Sequence, residues 1–117
     1  LKIPVRTFEC CSGDLADLKA KSADVEAWSP RQNKYWEAGS CSNLTDAQAR
    51  RLNIRIEKNG EIYFAHTLNN TVLASPRALI AILENHQNKD GSVNIPKELQ
   101  PYMQNKKIIK AVKKPKK

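Results

Sequence analysis

The alternation of apolar and polar residues in the middle of the chain predicts a β-hairpin. Apolar side chains occupy every second position from Leu52 to Ile56, which is the pattern of a strand with one apolar face. Asn59-Gly60 follows, and these residue types accept the positive φ angles of a two-residue turn. The alternation resumes from Ile62 to Leu68, so the second half is expected to return along the first.

Three strand segments are expected before this hairpin. Val5 to Cys11 mixes β-branched and aromatic residues and is expected to form the first strand. Asp24 to Trp28 is expected to form the second, ended by Ser29-Pro30. Lys34 to Ser40 would return beside it as the third.

Helical patterns fall between these strands. A short helix is expected after Ser12 or Asp14, and a second after Thr45, because Thr45-x-x-Gln48 matches a capping box. A third is predicted from about Pro76 to Asn88, since proline suits the first helical position. A short strand and a last helical turn would follow between residues 90 and 103. The pattern predicts an α+β fold, an antiparallel sheet with flanking helices.

Arg77 is the first candidate functional residue. It lies in the first turn of the predicted third helix, directly before the apolar run from Ala78 to Leu83, which predicts a buried helix. The helix dipole disfavours a cation there by about 0.3–1 kcal/mol. A bound phosphate would accept hydrogen bonds from the guanidinium and from the N–H groups of the helix start together. Alternatively, Arg77 pairs with a carboxylate or points to solvent.

Two polar clusters are further candidates. Asn69, Asn70 and Thr71 would end the strand that precedes the helix, where they could line a pocket for a small polar ligand or simply form a turn. Glu37 and Ser40 carry oxygen atoms of the kind that hold Mg²⁺. A solvated glutamate is the commoner arrangement and remains the alternative.

The positive charge is concentrated in the last residues. Seven of the 20 basic residues lie beyond Met103, which leaves 13 for the rest of the chain against its 12 acidic residues. We therefore expect a domain over residues 1–103 and a lysine-rich, disordered tail over residues 104–117. Such a tail either contacts nucleic acid weakly through counterion release or serves solubility.

Cysteine content and hydropathy bear on the compartment. Three cysteines, without a C-x-x-C pair, are a poor disulfide or zinc framework. No apolar run approaches the roughly 18 residues of a membrane span, and the chain opens without a secretory leader. We expect a cytoplasmic protein with reduced thiols and no membrane contact.

Read together, the motifs resemble one enzyme family. The segments "SGDL", "YWEAGSCSNLTDAQARRLNIR" and "HTLNNTVLASPRALIAILENHQNKDGSVNIPKELQPYM" are similar, in order and spacing, to the C-terminal part of the catalytic core of seryl-tRNA synthetase, a class II aminoacyl-tRNA synthetase. The resemblance runs from about Val5 to Met103 and includes the family's motif 3. It implies part of the class II antiparallel sheet with flanking helices.

The resemblance also implies roles for individual residues. Arg77 matches the motif 3 arginine, which holds the γ-phosphate of ATP and is catalytic. Glu37 and Ser40 match the residues that hold a divalent ion, Mg²⁺, bridging the ATP phosphates. Asn69 and Thr71 match the pair that faces the serine substrate. The implied activity is ATP-dependent activation of L-serine and its transfer to tRNA(Ser) by the complete enzyme, a homodimer in this family.

This sequence departs from the family pattern in two ways. Pro76 and Val72 stand where many relatives have glycine, and "EAGS" replaces "EISS"; these changes adjoin the implied ATP and serine positions. The tRNA-binding arm, motif 1 and motif 2, whose arginine contacts the α-phosphate, do not occur in the 117 residues. We therefore expect the chain to be inactive by itself, to need the N-terminal part of the enzyme, and to be marginally stable or to associate when isolated.

The alternative interpretation is a binding module. A synthetase relative could lose catalysis and keep a surface for a partner, with the lysine-rich tail contacting RNA. The five matched side chains favour the enzymatic origin.

Overall fold

The structure, a computed structural model, describes residues 1–112. These residues form two compact units, which are described separately. Unit 1 contains Leu1–Val5, Ala27–Trp36 and residues 75–112, and unit 2 contains Arg6–Glu26 and Glu37–Ala74. In chain order the elements are β1 (Val5–Glu9), β2 (Lys21–Ser29), β3 (Lys34–Asn43), α1 (Ala47–Leu52), β4 (Arg55–Lys58), β5 (Glu61–Phe64), β6 (Leu68–Asn70), α2 (Ser75–His86), β7 (Val93–Asn94) and β8 (Ile108–Ile109), with 3₁₀ turns at Ser12–Asp14 and Lys97–Met103.

The mixed helix and strand content confirms the predicted α+β class. The principal sheet has the strand order β1-β2-β3-β6. A four-residue connection joins β2 to β3, too short for a parallel crossover, so these neighbours are antiparallel. β6 is antiparallel to β3, with Ser42 opposite Asn69.

The predicted central hairpin is confirmed. β4 and β5 pair antiparallel, with Lys58 opposite Glu61 at the turn. Asn59 and Gly60 have φ values of 55° and 81°, the positive angles that a two-residue turn requires. Local sequence was sufficient here because a short turn specifies the register of the strands that it joins.

The helix expected after Ser12 is absent; a 3₁₀ turn stands in its place. β2 begins at Lys21, earlier than predicted. Backbone pairing within unit 2 explains the difference, because the Cys10 N–H donates to the Ser22 carbonyl at 2.9 Å and the Ala20 N–H donates to the Asn43 carbonyl at 2.9 Å. Pairing with neighbouring strands outweighs a weak helical preference.

The predicted capping box at Thr45 is also wrong. Thr45 has a left-handed φ of 46°, and its N–H donates to Asn43 Oδ1 at 2.9 Å. The Gln48 Oε1 atom accepts from Thr67 Oγ1 at 3.0 Å, so the Gln48 side chain and the Thr45 N–H, which would meet in a capping box, have other partners. α1 begins at Ala47, after an Asp46 N-cap that makes no side-chain capping bond.

In unit 1, α2 is much less buried than the sequence predicted. Ala81 is its one buried residue, whereas Leu79, Ile80 and Leu83 are exposed. On one side Leu79, Ile82 and Leu83 share a cavity of about 80 Å³ with residues of β7 and the following 3₁₀ turn. The described residues therefore cover α2 on one face and leave part of its apolar surface open.

The tail expected over residues 104–117 is ordered in part. Ile108 and Ile109 form β8, which pairs antiparallel with β7 through Asn94 and Val93. β7 and β8 form a two-stranded sheet, so β8 lies within the segment that was expected to be disordered, and the expected division into a domain and a tail stays a prediction. Residues 113–117 lie outside the described residues, so the expectation for that end of the tail stays a prediction.

Small residues dominate the buried apolar set. Among the described residues this set is Ala27, Leu44, Ala49, Ala65, Ala81, Val93 and Ile95. The buried polar set consists of serines: Ser22, Ser29, Ser42 and Ser92. In residues 1–112 no helix has both the length and the apolar character needed to cross a bilayer.

Candidate functional site

The structure brings two of the predicted site residues together in unit 2. Ser40 and Asn69 line one open cleft of about 470 Å³, together with Ser42, Gln48 and the segment Ala16–Lys19. The shared face follows from the register: residues two apart on β3 point to the same side, and Ser42 lies opposite Asn69. The cleft therefore combines hydroxyl and amide groups of the sheet and of Gln48 with apolar side chains such as Leu18 and Leu44.

A hydrogen bond between two buried serines joins the cleft to the neighbouring strand β2. Ser42 is 4% exposed and Ser22 is 1% exposed, and their Oγ atoms lie 3.0 Å apart. A hydrogen bond between two buried hydroxyls satisfies groups that would otherwise be costly to remove from water. The strand that carries Ser40 is thus held to β2 by side chains as well as by backbone pairing.

Asn70 connects β3 to the loop after β6, a role that the sequence did not assign. Its Nδ2 donates to the Ser40 carbonyl at 2.9 Å, and its Oδ1 accepts from the Val72 N–H. The side chain therefore fixes the backbone on both sides of Thr71 relative to Ser40. The sequence signal was the Asn-Asn-Thr cluster, but side-chain partners 30 residues away cannot be read from it.

Thr71 itself lies in that loop and is exposed. Its carbonyl accepts from the Leu73 N–H at 2.7 Å, and Val72 between them has a φ of 63°. This left-handed conformation favours glycine, so Val72 occupies a position that suits glycine better than a β-branched residue. The loop that carries Thr71 is thus tight and strained at a β-branched residue.

Glu37 lies on β3 in unit 2 and is exposed. In a regular strand residues three apart point to opposite faces, so Glu37 and Ser40 can hold one ion only where β3 departs from its regular pleat. Gly39 lies between them, and an added Cβ would meet nothing there within 4 Å. Among the described residues no group of three or more His, Cys, Asp or Glu side chains is placed to hold a metal.

Arg77 belongs to unit 1 and lies in the first turn of α2, as predicted. It is exposed at the surface, which differs from the expectation of a buried helix mouth. Pro76 stands inside the helix without breaking it, because proline in the first turn removes an N–H that has no helical partner. The position therefore combines a guanidinium with a helix start.

A polar cluster in unit 1 holds the other end of α2, and the sequence did not suggest it. Glu84 accepts hydrogen bonds from Ser29 Oγ and, at 3.0 Å, from Arg31 Nε. The Ser29 hydrogen bond and the Arg31 guanidinium lower the pKa of the Glu84 carboxyl below its ordinary value of 4.5. We refer to Ser29, Arg31 and Glu84 as the Glu84 cluster.

Comparison with known proteins identifies the family. Residues 1–86 match the tRNA synthetase class II core domain (G, H, P, S and T), and the chain belongs to this family. The resemblance to seryl-tRNA synthetases is also confirmed. The serine–tRNA ligase of Dictyoglomus thermophilum is 55% identical over 104 residues, which are 88% of this chain and 24% of the relative. That of Methanospirillum hungatei is 51% identical over 112 residues, 93% of this chain and 26% of the relative.

Solved structures show the same likeness. The seryl-tRNA synthetase of Pyrococcus horikoshii in complex with ATP matches with a TM-score of 0.90 and 50% identity, over 97% of this chain and 26% of that one. The cytoplasmic serine–tRNA ligase of Naegleria fowleri in complex with AMP matches with a TM-score of 0.81 and 45% identity, over 92% of this chain and 26% of that one. The chain thus spans about a quarter of the length of these relatives.

Proposed function

We propose that this chain forms part of a serine–tRNA ligase and contributes residues for the ATP-dependent activation of L-serine and its transfer to tRNA(Ser). The observation that carries the proposal is the cleft in unit 2, where Ser40 and Asn69 meet on one face of the sheet. Ser40 and Asn69 offer a hydroxyl and an amide group that can hydrogen-bond a small hydroxylated substrate. The names of the relatives agree with that substrate class.

In this proposal Asn69 and Thr71 bind serine. A site that hydrogen-bonds a substrate hydroxyl rejects the analogue that lacks it strongly, since the groups of the site are then left unpaired. Asn69 lines the cleft, and Asn70 holds the loop of Thr71 to β3. Discrimination between serine and alanine is therefore assigned to this part of the sheet.

Arg77 is proposed to bind the γ-phosphate of ATP and so to act as a catalytic residue. A guanidinium offers several donors in a fixed fork, and the N–H groups of a helix start add partial positive charge. Both belong to the first turn of α2. Their role is to hold the triphosphate while pyrophosphate leaves, an electrostatic task.

Glu37 and Ser40 are proposed to hold Mg²⁺, with Glu37 also contributing to ATP binding. A carboxylate and a hydroxyl are hard oxygen donors, which fit Mg²⁺, and this ion keeps several waters and usually adds phosphate oxygens to one or two protein ligands. The ion would neutralise phosphate charge. For both residues to reach one ion, β3 must depart from a regular pleat between Glu37 and Ser40.

The complete enzyme is proposed to be a cytoplasmic homodimer in which the N-terminal part supplies the α-phosphate contact and the tRNA-binding arm. The chain alone is then inactive. A direct test replaces the matching quarter of the D. thermophilum enzyme by this chain and measures serine-dependent ATP–pyrophosphate exchange. Exchange should occur in this chimera and be absent from the isolated chain.

Variants of the chimera test the assigned residues. Arg77→Ala should lower exchange by about 10²-fold or more, as loss of a preorganised charge contact does. Arg51→Ala, at an exposed arginine of α1, is the matched control and should leave exchange near the parent value. Normal exchange by Arg77→Ala, or an inactive but folded chimera, would contradict the proposal.

A second candidate is a non-catalytic binding module that contacts RNA through its basic tail. It is favoured by Lys106, Lys107 and Lys110, which are exposed around β8. Replacing all seven lysines beyond Met103 by glutamine keeps Ile108 and Ile109 and removes the charge of the tail, so RNA binding measured across a salt series isolates the electrostatic contribution. Binding that is unchanged by the substitutions would eliminate this candidate.

A further inference from the structure

Arg77 and Glu84 lie on the same side of α2. They are seven residues apart in the helix, and at about 100° per residue Glu84 falls within about 20° of Arg77 around the axis and about 10 Å along it. Ala81, between them on this side, is 3% exposed. Contacts that hold Glu84 therefore also hold the rotation of α2 about its axis, and this rotation sets the direction in which the Arg77 side chain leaves the helix.

The Glu84 end is held by the Glu84 cluster. Ser29, at the end of β2, is fully buried, and its Oγ donates to Glu84 Oε2. Ser29 Oγ in turn accepts from the Gln32 N–H at 3.1 Å, which orients the hydroxyl toward the helix. The Glu84 side chain is only 14% exposed, whereas that of Arg31 is 72% exposed. Ser29 is accordingly the sheltered partner and Arg31 the solvated one.

Asn85 adds a second attachment of α2 to the same strand. Its Nδ2 donates to the Trp28 carbonyl at 2.8 Å and to the Ala81 carbonyl at 2.9 Å. Trp28 is itself held by an edge-to-face contact with Tyr35, at a centroid distance of 5.1 Å. Consecutive residues of α2 thus bind consecutive residues of β2, which opposes both rotation and sliding of the helix.

We propose that Ser29 and Glu84 are positioning residues that set the rotation of α2 and thereby aim the Arg77 guanidinium at the triphosphate. The proposal rests on the proposed ATP-binding role of Arg77. Neither residue is assigned to touch ATP, because Glu84 lies two helical turns from Arg77. Their effect on activity passes through the helix.

The size of the effect depends on how far α2 rotates when the Glu84 cluster is lost, and a modest rotation is sufficient. A helix with its side chains has a radius of about 5–6 Å, so a rotation of 20° displaces the outer end of a side chain by about 2 Å. A misplacement of about 1 Å can cost about 10²-fold in rate. Because Leu79, Ile80 and Leu83 on α2 are exposed in residues 1–112, apolar packing alone does not prevent such a rotation. Loss of the cluster should therefore cost about 10- to 100-fold in kcat/KM for ATP.

The experiment uses the chimera and four substitutions. Ser29→Ala and Glu84→Leu remove the sheltered hydrogen bond, and both should raise the KM for ATP or lower kcat by that factor while the KM for serine stays within twofold. Glu84→Gln keeps an oxygen acceptor for Ser29 and loses the exposed ion pair with Arg31, which contributes little. It should therefore retain most of the activity.

Ser92→Ala is the matched control for loss of a buried serine. Ser92 is 7% exposed, donates to Asp90 Oδ1 at 2.6 Å and accepts from Asn88 Nδ2 at 2.9 Å. These partners lie beyond the end of α2 at His86. Its loss should lower stability without a selective effect on the KM for ATP. Ser29→Ala is also combined with Arg77→Ala, and the double variant should be no worse than Arg77→Ala alone, since both changes act on one interaction.

The outcomes separate the inference from the proposed function. If Arg77→Ala has no effect, the ATP-binding role fails and the positioning role fails with it. If Arg77→Ala is impaired while Ser29→Ala and Glu84→Leu keep a normal KM and kcat, only the positioning role is overturned. Additive losses in the double variant, or equal losses for ATP and serine, would also overturn it. If Ser29→Ala does not fold, the comparison of Glu84→Leu with Glu84→Gln gives the same decision.

Discussion

Replacing Val72 by glycine is expected to stabilise the chain, although it removes a side chain. Val72 has a φ of 63°, and the left-handed conformation costs an L-residue about 1–2 kcal/mol. Glycine avoids this cost but loses about 0.5–1 kcal/mol through its greater freedom in the unfolded chain. The Val72 side chain is lost at little cost, because the residue is 91% exposed. The net gain in unfolding free energy is about 0.5–1 kcal/mol.

Urea unfolding measures this gain. Far-UV circular dichroism follows the unfolding, because it reports on the helices and strands of both units. All variants are compared at one protein concentration so that association does not contribute to the difference. With a slope of about 1–3 kcal/mol per molar urea, the midpoint should rise by about 0.2–1 M. The slope itself should not change, since the exposed loop buries little surface.

Two other substitutions test the physical reason. Val72→Ala keeps a Cβ atom in the left-handed conformation and should gain less than Val72→Gly. Val5→Gly, in the extended strand β1 where Val5 is 59% exposed, should lower the midpoint, because glycine there loses entropy and relieves no strain. A lower midpoint for Val72→Gly, or an equal gain for Val72→Ala, would refute the reasoning.

Four further outcomes are expected. Glu84→Gln should reduce the pH dependence of stability below about pH 4.5. The lowered pKa of the Glu84 carboxyl gives the folded chain stability that is present above that pH and is lost as the pH falls. Urea midpoints measured across this pH range test the expectation. Gly60→Ala should destabilise by about 1 kcal/mol at a φ of 81°, whereas Gly13→Ala, with no positive φ and open space around it, should cost less. Asn70→Ala should cost about 1–2 kcal/mol through two lost hydrogen bonds, and Asn70→Asp, which keeps one, should cost less. The isolated chain should associate, so that its sedimentation depends on concentration; a clean monomer would contradict this.

The sequence predicted those elements whose geometry is decided within a few residues. The Asn59-Gly60 turn determined its own hairpin, and Pro76 with the apolar run after it located α2 to within two residues. The capping box failed because Thr45 takes a left-handed φ and its N–H binds Asn43. Local residue preferences do not include such competing partners.

The candidate site shows the same division. A resemblance in motif spacing named Ser40 and Asn69, and the register of β3 with β6 places both on one cleft. The Glu84 cluster joins residues more than 50 positions apart, and no local pattern contains that pairing. The burial of α2 was overestimated because an apolar run indicates that a helix favours apolar contacts. It does not show whether other parts of the chain cover every face of that helix.

The four buried alanines, Ala27, Ala49, Ala65 and Ala81, limit how this protein can diverge. A methyl group that fills its space allows neighbouring backbones to approach closely, and a bulkier replacement must push whole elements apart, at about 1–3 kcal/mol each. Homologues are therefore expected to accumulate variation on outward positions and to keep small residues at these four. An insertion of volume at Ala81 would displace the helix that carries Arg77, so under the proposed ATP-binding role of Arg77 a change in the interior would alter nucleotide binding.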